Sequence, residues 1–87
     1  MTTWIRHPRV LWRRSGQRRV VLPPGSDEVL VLAGRGVVVW DLLSRPMSEP
    51  ALVATMSDAA HLERGEAAAE LVPFLEDLHR DGVLRRA

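Results

Sequence analysis

The chain has 87 residues, a formal net charge of +1 and no cysteine, so one domain is expected, and disulfides, thiolate metal sites and cysteine nucleophiles are excluded. A domain this small buries only about 60% of its unfolded surface, which leaves little stability for a buried charged cluster. All twelve basic residues are arginine, and Arg6, Arg9, Arg13, Arg14, Arg18 and Arg19 fall where no acid occurs. That basic end either invites an acidic partner or is a solvated hairpin face. Residues 1–9 read as an N-terminal extension and 10–87 as the domain. Val10 to Arg14 and Arg19 to Leu22 are short apolar runs separated by the turn residues Ser15-Gly16-Gln17, the pattern of a β-hairpin. Pro23-Pro24-Gly25-Ser26 ends the second run and cannot donate to a ladder. A third strand is expected over Asp27 to Leu32.

The pattern changes after Ala33-Gly34-Arg35-Gly36. Val37 to Ser44 reads as a short, mostly buried helix ended by Arg45-Pro46. Ser48-Glu49-Pro50 reads as an N-cap with proline in the first turn. The second helix should span Glu49 to Met56, with Leu52, Val53 and Met56 inward. Asp58 to Leu62 reads as a connection. Ala67, Leu71, Phe74, Leu75 and Leu78 form an apolar stripe on an otherwise acidic last helix. Pro73 should kink or divide that helix. Gly82 should end it, with Val83-Leu84 folding back and Arg85-Arg86-Ala87 as a polar tail. The class expected is α+β, a three-stranded antiparallel sheet followed by three helices.

Nothing points to catalysis. His7, His61 and His79 are isolated from one another and from carboxylates at ligand spacing. No serine sits in a nucleophile elbow. Gly34-Arg35-Gly36 is too short for a dinucleotide fingerprint and fits a tight strand-to-helix turn. The carboxylates lie on an exposed helix face or at turns, not in a cleft. No enzyme activity, cofactor or metal is expected. No apolar run reaches the roughly 18 residues of a membrane span, and Met1 to Pro8 lacks the apolar core of a signal peptide. A cytoplasmic location is expected.

The block Val29-Leu30-Val31-Leu32-Ala33-Gly34-Arg35-Gly36-Val37-Val38-Val39-Trp40-Asp41-Leu42-Leu43 resembles the strand-to-first-helix segment of the PqqD-like domains. Phe74 to Leu84, of the form F-L-x-x-L-x-x-x-G-x-L, is similar to their closing helix. Both motifs are packing patterns; their joint order and spacing carry the resemblance, which covers the chain from Val10 onward. The resemblance implies a winged-helix-like fold and a recognition element for the leader of a ribosomally made, modified precursor peptide. It implies that the leader adds to the third strand, in the groove against the third helix. A stand-alone copy of this length most resembles those of lasso-peptide biosynthesis, where the domain presents its precursor to a leader peptidase or other modifying enzyme.

The residues support the mode separately, because a small sheet leaves an edge with unpaired N–H and C=O groups. Glu28, Val29, Leu30, Val31 and Leu32 are the candidate rungs, with Leu30 and Leu32 toward the core or, in the reversed phase, Val29 and Val31. Ala68, Leu71, Val72 and Leu75 are the candidate helix wall. An unfilled edge also offers a route to homodimers when no leader is bound. The alternative is a winged-helix nucleic-acid-binding protein, but the acidic last helix would be repelled by phosphate.

Overall fold

Turn chemistry sets the first half of the fold. In the computed structural model, which describes residues 1–87, the elements run β1 (Thr3–Arg6), β2 (Leu11–Ser15), β3 (Arg18–Leu22), β4 (Leu30–Leu32), α1 (Arg35–Leu42), β5 (Met47–Ser48), α2 (Glu49–Ala60), α3 (Arg64–Arg80) and β6 (Leu84–Arg86). β2 and β3 form the expected hairpin, closed by Gly16-Gln17 beyond the Ser15–Arg18 rung. The chain then turns at Pro23-Pro24-Gly25-Ser26, where Ser26 N–H donates to Pro23 C=O at 3.1 Å. Gly25 has φ +75°, so this is a type II turn, with proline pre-set at its second position and glycine required at its third. Ser26 Oγ accepts from Glu28 N–H at 3.0 Å. That local bond holds Asp27 and Glu28 in a second turn and shortens the third strand of the hairpin sheet, β4, to Leu30–Leu32.

The protein is α+β, with three helices and two antiparallel three-stranded sheets, ordered β2-β3-β4 and β5-β1-β6. The second sheet has no counterpart in the sequence reading. Residues 1–9, read as an extension, carry β1, whose Trp4 is 1% exposed. Arg85 and Arg86, read as a tail, lie in β6. Ala87 N–H donates to Thr3 C=O, and Glu49 N–H to Thr2 C=O, each at 2.8 Å. β5 and β6 are too short to show an alternating pattern, which is why they were not visible as strands.

Helix boundaries follow their caps. Ser48 Oγ accepts from Ala51 N–H at 3.2 Å, with Pro50 in the first turn of α2. α2 continues past Met56 through Asp58-Ala59-Ala60, since nothing there breaks a helix, and ends at His61, whose φ is 55°. α1 begins two residues earlier than expected. α3 is one helix through Pro73, not two pieces. Pro73 and Ala69, whose carbonyl loses its intrahelical donor, are both exposed, so water can satisfy the freed acceptor. At its end Gly82 has φ +82°. Gly82 N–H donates to His79 C=O at 3.1 Å and Val83 N–H to Leu78 C=O at 2.9 Å, a Schellman closure that returns Val83 to the core beside Leu78. No helix is long and apolar enough to cross a membrane.

The core gathers Trp4, Val21, Trp40, Leu43, Leu52, Leu75 and Val83 from both sheets and all three helices. Two of the six N-terminal arginines belong to this structure. Arg19, 7% exposed, donates through Nε and Nη2 to the two carboxylate oxygens of Asp41 at 3.2 and 3.0 Å. Arg6 donates to Trp40 C=O at 3.0 and 2.6 Å and stacks over the Trp12 and Trp40 rings. Burial lowers the Arg6 pKa; Asp41 opposes that shift and Arg19 adds to it. Trp4→Ala should cost about 3–5 kcal/mol, a large share of the roughly 5–15 kcal/mol typical of a domain. Urea denaturation checks this, and an unchanged midpoint would contradict an integrated first strand.

Candidate functional site

β4 pairs with β3 alone, through Arg19–Leu32, Val20–Val31 and Val21–Leu30. Its other edge has no strand. In an antiparallel pair, alternate residues direct N–H and C=O away from the partner, so this edge presents open backbone groups. Leu32 is 6% exposed and Leu30 packs against the core, whereas Val29 and Val31 are each 55% exposed. Leu30 and Leu32 therefore face inward and the valines outward. Glu28 stands apart from the other candidate rungs. Its N–H is taken by Ser26 Oγ, whose hydroxyl also donates to Glu28 C=O at 3.3 Å, so both its backbone groups are occupied.

A cavity of about 210 Å³ lies between the three helices, among Gly36, Val39, Met56, Ala67, Leu71 and Phe74; no β4 residue lines it. Gly36 has a packing reason to be glycine. A Cβ there would sit 3.1 Å from Phe74 Cζ and 3.9 Å from Leu32 Cβ. Phe74 of α3 and Leu32 of β4 thus both come close to α1 at Gly36. Arg35 and Glu70 also line the cavity and form an ion pair that ties α1 to α3.

Of the four candidate wall residues on α3, only Leu71 lines this cavity. At about 100° per residue, Ala67, Glu70, Leu71 and Phe74 share one face, while Ala68 and Val72 project roughly a quarter-turn or more away. They lie toward the side where His79 meets Trp4, ring centroids 5.4 Å apart. Leu75 is fully buried in the core. The apolar stripe is wide enough that periodicity alone does not separate its core-facing side from its groove-facing side. Arg35 and Glu70 are 35 positions apart, and no sequence pattern announces such a pair. Gly36 was visible only as turn chemistry.

Chemically, the site offers backbone hydrogen bonds along an open edge and a small apolar cavity between the helices, linked to that edge through Gly36 and Leu32. No group of three or more His, Asp or Glu side chains stands where it could hold a metal ion. These features suit an extended chain with one apolar side chain inserted.

The family model for coenzyme PQQ synthesis protein D (PqqD) matches residues 18–84, from the start of β3 to the first residue of β6. Both sequence blocks described above fall inside that span; β1 and β2 fall outside it. No curated protein and no solved structure matches the chain.

The Arg35 and Glu70 side chains are 48% and 54% exposed, so their pair should contribute little to stability. Glu70→Gln should change the unfolding free energy by less than about 1 kcal/mol, measured by thermal denaturation at low and high salt.

Proposed function

Because the chain belongs to the PqqD family, whose members are non-catalytic and recognise precursor peptides in the biosynthesis of ribosomally made, modified peptides, we propose that it captures a precursor leader as an added strand on β4. The observations that carry this reading are the open edge of β4 and an interhelical apolar cavity whose lining residue Gly36 lies near Leu32. The leader's backbone pairs with Val29 to Leu32. One of its apolar side chains enters the cavity between Gly36, Ala67, Leu71 and Phe74. The bound precursor is then presented to a leader peptidase, in a pathway of the lasso-peptide kind.

Energetics favour a division of labour along this site. Each net hydrogen bond contributes only about 1 kcal/mol, and ordering a flexible leader opposes binding. An apolar side chain buried in the cavity adds roughly 1.5–3 kcal/mol. The edge therefore sets direction and register, and the cavity sets which leader is held. Micromolar to nanomolar affinity is expected, with modest salt dependence.

Proline scanning along β4 tests strand addition. Neighbouring residues direct their N–H groups to opposite sides of a strand. Of Leu30→Pro and Val31→Pro, one breaks the β3 ladder and loses stability. The other keeps the fold and removes a rung for the peptide. The variant with an unchanged urea midpoint should bind a fluorescein-labelled leader at least about tenfold more weakly, a difference of about 1.4 kcal/mol. Equal affinity in that variant would rule strand addition out. Phe74→Ala should weaken the same leader by a similar factor, read by fluorescence polarisation.

A further inference from the structure

The sheet β2-β3-β4 has a second face, which the core does not cover. The strand pairings put Leu11 beside Leu22, and Val20 beside Val31, all on the side opposite the buried Val21 and Leu32. Leu11 is 67% exposed and Val29 and Val31 are each 55% exposed. A depression of about 180 Å³ lies between Leu11, Val20, Leu22 and Val29. Exposed apolar residues scattered singly need no explanation, but a contiguous group does.

The surroundings of this face are charged in an ordered way. Arg13 and Arg18 share it toward the hairpin turn, since they alternate with Trp12, Arg14 and the inward Arg19. Arg9 lies by Leu11 and Leu22 at the other end of β2. None of the three is in an ion pair. Unlike Arg6 and Arg19, they have no structural duty; the exposed acids Asp27 and Glu28 precede Val29 at the end away from the hairpin turn. An occupant with an apolar centre and carboxylates opposite the hairpin turn is complementary to this face.

Area decides between occupants. Strands of five, five and three residues cover on the order of 200 Å². A stable interface needs about 800 Å² per partner, which counts against a homodimer resting on this face alone. A partner that also grips a peptide lying along β4, next to Val31, gains the missing area. We propose that this outer face docks the folded enzyme acting on the captured precursor, a leader peptidase with a carboxylate-edged apolar patch; the partner's identity rests on the peptide-capture reading above.

The test uses the full chain with its leader and the purified leader peptidase, immobilised for biolayer interferometry. Leu11→Glu and Arg18→Glu both lie off β4 and at exposed positions. Each should weaken peptidase binding at least about tenfold while leader affinity stays within about twofold. Arg18→Lys should restore most of the loss. No binding of the peptidase to the wild-type chain, or equal affinity in both glutamate variants, overturns the proposal. So does a wild-type dimer in sedimentation that Leu11→Glu dissolves, because the occupant is then a second copy. If the leader fails to bind while the variants still lose the peptidase, peptide capture falls and the docking face stands.

Discussion

The bidentate pair between Arg19 and Asp41 joins the hairpin sheet to the first helix, and the placement of β4 depends on that joint. Arg19 is nearly buried, so its charge needs a partner at the end of its reach. Asp41 is half-exposed, which keeps its own desolvation cost moderate. The pair fixes β3 against α1, and β4 is the other neighbour of β3. One residue before Asp41, the Trp40 carbonyl accepts from Arg6, so β1 is held to the same turn of α1. Two sheets that share no hydrogen-bonded strand are thereby oriented by a single helical turn.

That scaffold allows an edge to remain open. An unpaired strand is a liability in a free protein, and sequences commonly blunt it with charge, proline or brevity. β4 uses brevity: the serine turn at Ser26 withdraws Glu28 and limits the strand to three residues. Two exposed valines nevertheless remain beside the open rungs. Keeping β4 short and anchored on one side limits unwanted pairing, yet leaves room for an extended chain.

The sequence revealed the elements whose signals are local. The hairpin turn, the Ser48 cap, the Gly82 closure and the apolar stripe of α3 each rest on a few neighbouring residues, and each appears where expected. The second sheet was not legible, because Met47–Ser48 and Leu84–Arg86 form strands only through what they meet. Alternation grouped Leu30 with Leu32 but left open whether that pair or the valines faced inward, which burial decides for the leucines. The groove-facing side of α3 was not legible either, since a stripe that touches both core and cavity hides where one ends and the other begins. Phe74 could be read only as one more core residue until Gly36 was seen to make room for it.

The bond from Ala87 to Thr3 has a mechanical consequence. β1 and β6 run antiparallel as neighbours, so the two ends of the chain leave the molecule side by side. Tension applied through both ends would open that ladder one rung at a time, like a zipper, and not shear all its bonds together. Trp4 would be drawn from the core early, while the hairpin sheet carrying β4 lies off the line of force. Anything tethered to either end would thus pull first on β1 and β6 and only later on the open edge.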